Sequence, residues 1–94
     1  MSVLIRFMPA SLTAEKYDDA FGRLEAAGND FPPDGLDYHV CFASDGNLRI
    51  SEVWDSREQW EAFGRRFRPV LAQTGMLEFS APPELLAVHN ILRR

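Results

Sequence analysis

A histidine and a glutamate fall on paired positions of a predicted β-hairpin, and this arrangement suggests chemistry. Two alternating apolar runs, Leu36–Ala43 and Leu48–Trp54, are joined by a short segment centred on Asp45-Gly46. Asp-Gly between alternating runs is a strong hairpin signal, because both central residues of a type I′ turn need a positive φ. A two-residue turn there pairs Ser44 with Asn47 and, further along the ladder, places His39 opposite Glu52.

Side chains of cross-strand partners lie on the same face of a sheet, so the register groups the candidate residues. That face carries His39, Cys41, Ile50, Glu52 and Trp54. Trp54 directly precedes a predicted helix, so we expect the helices to cover this face. A histidine beside a carboxylate can act as a general base towards a phenol, an enol or an acidic C–H, with Glu52 orienting it and stabilising its charge. A structural pair that satisfies its own buried polarity is an equally open alternative.

Aromatic side chains from the neighbouring elements are predicted to form the walls of a small-molecule pocket beside this pair. Such sites are mostly apolar and hold a few polar groups. The alternative is that the rings are plain core, and that Tyr17 or Arg6 bonds Glu52 in a structural network. The candidate substrate-binding residues are Trp54, Tyr17, Phe21, Trp60 and Phe63.

No metal and no cofactor is predicted. His39, Glu52 and His89 are the residue types of a two-histidine, one-carboxylate iron site, but they are predicted on strands at opposite edges of the sheet. For His89, three roles stay open: lining the pocket, lying at a subunit seam, or capping a loop. Cys41 is the single cysteine, which excludes an internal disulfide and a thiolate zinc site. Without a basic neighbour in sequence it should behave as a small hydrophobe.

Periodicity and capping residues predict six elements in the order β-α-β-β-α-β. This is the ferredoxin-like arrangement, an α+β fold with a four-stranded antiparallel sheet. Right-handed crossovers give the strand order 4-1-3-2 and put both helices on one face. Met76–Pro83, with its two prolines, is predicted as a loop. Strand 1 is predicted at Ser2–Met8 and strand 4 at Glu84–Leu92, on either side of the two hairpin strands. Helix 1 runs from an N-cap at Ser11 or Thr13 to Gly28. Helix 2 runs from a capping box, Ser56 to Gln59, to Gly75, with Pro69 inside it.

The length and the net charge of the chain restrict its domain organisation and its possible partners. The 94 residues predict one domain spanning 1–94. A formal net charge of −4 disfavours nucleic acid as a partner, because such a surface needs a clustered positive footprint. No run is apolar enough for a signal peptide or a membrane span, so a cytoplasmic protein without a membrane partner is expected. The sheet face away from the helices is apolar and predicts a homodimer; it carries Tyr38, Val40, Phe42 and Val53.

Two sequence runs in this order of elements carry a family resemblance. Val53-Trp54-Asp55-Ser56 closes strand 3 into helix 2, and Val88-His89-Asn90 lies in the last predicted strand. Over essentially its whole length the chain resembles the dimeric α+β-barrel superfamily, and more narrowly the small antibiotic-biosynthesis-monooxygenase-like proteins. The resemblance implies a homodimer in which two sheets pack face to face into a barrel. It also implies a small-molecule pocket between each protomer's own sheet and helices.

Activities in that superfamily include cofactor-free oxygenation of quinols and polyketides, haem degradation, polyketide cyclisation and lactone isomerisation. Several members, including haem degraders, carry a histidine on the second helix, where this chain has Phe63 and Phe67 on its buried stripe instead. Haem degradation is therefore not expected. The resemblance implies a cofactor-independent monooxygenase, isomerase or cyclase for an aromatic or polyketide-like substrate, with His39 as base. The alternative is a non-catalytic ligand-binding or regulatory module on the same fold.

The state of the pocket discriminates between these hypotheses. An open cavity that reaches His39 favours a ligand-binding enzyme. A cavity filled by Trp60, Phe63 and Phe67 favours an inert scaffold.

Overall fold

A computed structural model describes residues 1–27, 31–44, 47–74 and 79–93, and in these residues it shows the predicted element order. The four strands form one antiparallel sheet with the spatial order β2-β3-β1-β4. This confirms the ferredoxin-like α+β fold and the predicted strand order. The elements are β1 at Val3–Pro9, α1 at Ala14–Ala27, β2 at Leu36–Ser44, β3 at Asn47–Trp54, α2 at Arg57–Ala72 and β4 at Phe79–Ala87.

The register of the β2–β3 hairpin is the predicted one. Ser44 pairs with Asn47, and further along the ladder His39 pairs with Glu52. The Asp45-Gly46 turn itself lies outside the described residues, but the pairing on either side of it is that of a two-residue connection. The hairpin therefore delivers the histidine and the carboxylate to the same face of the sheet.

Strand β1 runs through the centre of the sheet and decides which face forms the core. Ile5 lies opposite Glu52 and Phe7 lies opposite Ile50, so these residues share the face of the histidine and the carboxylate. Ile5 and Trp54 have no exposed surface at all. Full burial of such side chains stabilises a fold by about 1.5–3 kcal/mol each. The core thus lies between the sheet and the two helices, and Arg6 points to the opposite face.

Both helices begin at side-chain caps that the sequence indicated. The Thr13 hydroxyl accepts a hydrogen bond from the Lys16 backbone N–H at 3.2 Å, which selects Thr13 as the cap of α1. The Ser56 hydroxyl accepts from the Gln59 backbone N–H at 3.2 Å. It also donates to Gln59 Oε1 at 2.9 Å. These bonds fix where α2 leaves β3, and therefore how the helix crosses the sheet.

Gly35 connects the start of β2 to the start of α2. It adopts φ +89°, a left-handed conformation that glycine reaches without strain. Its carbonyl accepts from the Asp55 N–H at 2.8 Å. A Cβ at this position would lie 2.5 Å from Gln59 Cδ. No other residue type fits this junction without a shift.

Helix α2 continues through Pro69 to Ala72, where the Gln73 N–H bonds to the carbonyls of Val70 and Leu71. The predicted helix ends at Gly28 and Gly75 lie outside the described residues. No helix of the described part is long and apolar enough to cross a membrane.

The prediction for the last strand was wrong at both ends. Strand β4 covers Phe79–Ala87 rather than Glu84–Leu92, so residues 79–83 of the predicted Met76–Pro83 loop are strand; residues 76–78 lie outside the described part. Two prolines are tolerated because β4 is an edge strand. Between the pairs Arg6↔Glu84 and Met8↔Ala81, two residues of β4 oppose one of β1, which is the pattern of a β-bulge.

Residues 88–93 follow β4 as irregular chain. The Val88 N–H donates to the Ser2 carbonyl at 3.1 Å, and Arg93 forms an ion pair with Asp37 on the far edge strand β2. Val88-His89-Asn90 therefore lies beyond the last strand and not within it. His89 is exposed there.

Candidate functional site

A cavity of about 860 Å³ lies between the sheet and the two helices, and it is partly open to solvent. Both helices and all four strands contribute to its lining, which is mostly apolar and aromatic. Ligand pockets in proteins typically have about 300–1,000 Å³ and a similar lining. Of the three side chains that could have filled this space, Trp60 and Phe63 line the cavity and leave its volume open, and Phe67 is buried against Phe63.

His39 and Glu52 form a hydrogen-bonded pair in the wall of this cavity. His39 Nδ1 lies 2.7 Å from Glu52 Oε2. Glu52 is only 8% exposed, and it is the one polar side chain among the buried residues of the described part. Buried carboxylates must be satisfied by donors, since an isolated charge in an apolar setting is costly.

The second oxygen of Glu52 is held by Trp54, whose Nε1–H donates to Oε1 at 3.0 Å. An ionised carboxylate accepts only, so with Trp54 on one oxygen the His39 Nδ1 must be the donor to the other. In the neutral ring the proton then sits on Nδ1, and Nε2 carries the free lone pair. The carboxylate thus selects the tautomer of His39.

Tyr17 of α1 completes the network from the helix side. Its hydroxyl lies 2.8 Å from His39 Nε2, and the two rings stack at 23° with their centroids 6.0 Å apart. Because Nε2 of the neutral ring accepts, the phenol donates to it. Tyr17 was expected as a pocket wall, or as a partner of Glu52. It lines the cavity, but its hydroxyl bonds His39 and not Glu52. Arg6 pairs with Glu84 at 3.6 Å.

Burial raises the pKa of Tyr17 above its ordinary 10.0, and repulsion from Cys41 in its ionised form, from Glu52 and from Asp18 raises it further. Tyr17 is therefore a neutral phenol across the physiological range. Burial, with a smaller contribution from Asp18, likewise raises the pKa of the Cys41 thiol. This agrees with the prediction that Cys41 behaves as a small hydrophobe and not as a thiolate nucleophile.

The predicted aromatic residues all line the cavity. Trp54 packs on Phe63 with ring centroids 5.4 Å apart. Phe21 lies between Tyr17, at 6.0 Å, and Phe31, at 5.3 Å in an edge-on contact. Phe31 was not predicted for the site, because its loop gave no periodic signal. The structure therefore brings the seven proposed site residues together around one space.

Helix α2 supplies lining residues that sequence reasoning missed, among them Gly64, Arg65 and Arg68. A Cβ on Gly64 would have no atom within 4 Å, so this glycine leaves room in the cavity. Arg65 and Arg68 also line it, and both are exposed to solvent. The sequence could have grouped these charged residues, because Glu61, Arg65 and Arg68 recur at helical spacing and therefore lie on one face of α2.

No cluster of three or more metal-ligating side chains occurs in the described residues. His89, weighed above as a third ligand, is not among the cavity-lining residues. The imidazole and the carboxylate at the site are instead bonded to each other and to Tyr17 and Trp54.

No protein-family profile and no curated protein matches the sequence. Solved structures match over nearly the whole chain. SnoaB from Streptomyces nogalater, a cofactor-independent oxygenase, has 15% identity and a TM-score of 0.61, with 99% of this chain and 96% of that chain covered. Rv0793 from Mycobacterium tuberculosis has 22% identity and a TM-score of 0.57, with 98% and 97% covered. A Chloroflexus aurantiacus protein provisionally assigned as an antibiotic biosynthesis monooxygenase has 20% identity and a TM-score of 0.51, covering 96% and 95%.

Proposed function

On a chain with the fold of the antibiotic-biosynthesis-monooxygenase-like proteins, we propose that the cavity binds a flat aromatic or polyketide-like molecule and that His39 removes a proton from it. Glu52 holds the ring and stabilises the imidazolium that forms. Such a proton transfer requires no metal and no bound cofactor. The similarity to a cofactor-independent oxygenase supports this proposal as an analogy of fold.

The hydrogen bond between Tyr17 and His39 carries the proposal. It supplies a phenol inside the cavity, 2.8 Å from the lone pair of the proposed base. A phenol or enol of the substrate would find the same acceptor at the distance that general-base catalysis needs. The Tyr17 hydroxyl therefore marks the place that we expect the reacting hydroxyl of the substrate to take.

Deprotonation at this position makes the substrate electron-rich. A phenolate or enolate can add through carbon to dioxygen, giving a hydroperoxide that loses water and leaves a carbonyl. It can also reprotonate at another carbon, or attack an electrophile within the same molecule. These outcomes correspond to a monooxygenase, an isomerase and a cyclase. The aromatic walls formed by Trp54, Trp60 and Phe63 would hold a planar substrate and keep water away from its anion.

Replacing His39 by glutamine tests the base. The purified protein would be screened for turnover of quinols, polyketide-like phenols and lactones, with dioxygen uptake and product mass as readouts. His39→Gln should lower turnover by about 10²–10⁴-fold, the usual contribution of a general base. His89→Gln is the matched control and should keep full activity, since His89 is exposed outside the cavity. Equal turnover in wild type and His39→Gln would refute the base role.

A second candidate function is ligand binding without catalysis. The observation that favours it is the closure of the network, in which Tyr17, His39, Glu52 and Trp54 satisfy one another without a ligand. Binding of a screened compound with no turnover by the wild type, and with unchanged affinity in His39→Gln, would support this candidate against the enzyme.

The homodimer is part of the proposal. On the face of the sheet away from the helices, Tyr38 is 52% exposed, and Phe42 and Leu86 are each 40% exposed. Val53, also assigned to this face, is already buried within the protomer. Large exposed apolar side chains on one face favour pairing with a second copy. Light scattering at micromolar concentration should give twice the chain mass, and Phe42→Glu should shift it towards the monomer. A wild-type monomer would contradict the pairing.

A further inference from the structure

Two arginines lie at the outer part of the cavity lining, on the stripe of α2 that faces the space. Arg65 and Arg68 both line the cavity, and both are exposed. Among the more deeply placed lining residues, Trp54 is fully buried and Glu52 nearly so. The cavity therefore has a mostly apolar interior that holds the His39–Glu52 pair, and two cationic side chains at its rim.

Neither arginine forms an ion pair with a residue in the described ranges. Glu61 also lines the cavity near these arginines, but its Oε1 is 3.2 Å from Arg57 Nε and so already has a cationic partner. Arg66, between the two rim residues in sequence, points elsewhere: its guanidinium lies 5.2 Å from the ring centroid of Phe67. The rim charges are thus available to a molecule that enters the cavity.

Two positive charges side by side on α2 are electrostatically unfavourable unless an anion binds near them. Residues three apart on a helix are neighbours, and like charges at that spacing repel. The chain as a whole has a net charge of −4, so the two arginines form a local positive site on a negatively charged protein. A guanidinium pair is well suited to an oxyanion, because its planar donors match the geometry of a carboxylate.

We propose that the ligand is an aromatic hydroxy acid or a similar amphiphile, whose anionic group is bound by Arg65 and Arg68 at the rim while its apolar body fills the cavity. This inference rests on the proposed function, since it gives the other end of the molecule whose hydroxyl meets His39. It narrows the substrate class from flat phenols in general to those that carry a carboxylate or an equivalent oxyanion.

A matched pair of probes tests this inference by titration calorimetry at low salt. Hydroxynaphthoate carries the carboxylate and naphthol does not, while both present a planar phenol. The double variant Arg65→Gln/Arg68→Gln removes the rim charge. Lys16→Gln/Arg23→Gln is the control, because it changes the net charge equally at two α1 positions outside the cavity lining.

The wild type should bind hydroxynaphthoate about tenfold more tightly than naphthol, which corresponds to about 1.4 kcal/mol. The rim variant should lose that preference and keep its affinity for naphthol within about twofold, while the control variant keeps the preference. High salt should reduce the preference in the wild type. Equal binding of both probes by the wild type, or an equal loss in both double variants, would overturn the rim site and leave the cavity proposal standing. If neither probe bound to the wild type, both the rim site and the cavity proposal would be overturned.

Discussion

Replacing Glu52 by glutamine should reverse the tautomer of His39. The wild-type carboxylate accepts from both Trp54 Nε1 and His39 Nδ1. A glutamine side chain has one acceptor oxygen and one amide that only donates. The indole N–H can only donate, so it keeps the oxygen, and the amide must then face Nδ1. His39 can accept from that amide only if its proton moves to Nε2.

The expected cost to stability is moderate, because the shape of the network survives. Two hydrogen bonds to a charged acceptor, worth about 1.5–3 kcal/mol each, become bonds between neutral groups, worth about 0.5–1.5 kcal/mol each. Removing a carboxylate that is 8% exposed also removes its desolvation cost. Together these changes predict a loss of about 1–2 kcal/mol in the free energy of unfolding, with the fold intact. Glu25→Gln, on the exposed surface of α1, should stay within about 0.5 kcal/mol of the wild type.

The effect on activity should be much larger than the effect on stability. With the proton on Nε2 the ring has no lone pair facing the substrate, so turnover should fall by up to about 10⁴-fold, as in serine proteases whose triad carboxylate is replaced by its amide. Nitrogen NMR reads the tautomer directly and without a substrate. The chain has two histidines, and His89→Gln assigns the signals. A wild-type His39 with its proton on Nε2, or an unchanged tautomer in Glu52→Gln, would refute the reasoning.

Two glycines and a tyrosine give three further tests. Gly64→Leu should fill part of the cavity and weaken naphthol binding by at least about tenfold. Gly22→Leu is the control: this glycine also has no neighbour within 4 Å but lies outside the cavity, so the calorimetric affinity should stay unchanged. Equal naphthol affinities of the two variants would contradict the assigned cavity. Gly35→Ala should lose about 1–3 kcal/mol in urea unfolding because of its positive φ, and a Gln59→Ala background should relieve only the steric part; an unchanged midpoint would refute the assigned geometry. The raised pKa of Tyr17 means that the unfolded chain ionises first, so stability should fall as pH rises above 10.0. Tyr17→Phe should flatten that slope, and equal slopes in both proteins would be inconsistent with a buried phenol.

The sequence could predict the hairpin and its face because the Asp-Gly signal and the two-residue period are local. Pairing of His39 with Glu52 follows from that register alone. The partner of Tyr17 could not be predicted in the same way, since it depends on the height and rotation at which α1 docks on the sheet. The prediction for strand β4 is wrong because Pro82 and Pro83 are typical of a loop. At a sheet edge a bulge accommodates them, and nothing local in the sequence distinguishes an edge strand from a loop.

The irregular edge of β4 also limits how copies of this chain can assemble. Pro82 and Pro83 have no backbone N–H, and the bulge opposite β1 twists this part of the strand away from a flat ladder. A further strand arriving at this edge would find missing donors where a continuous ladder needs them. Sheet extension from copy to copy, which could propagate into fibres, is therefore blocked at the β4 edge of every protomer. The proposed face-to-face pairing uses the one apolar sheet face of each protomer, so it would stop once two chains have met.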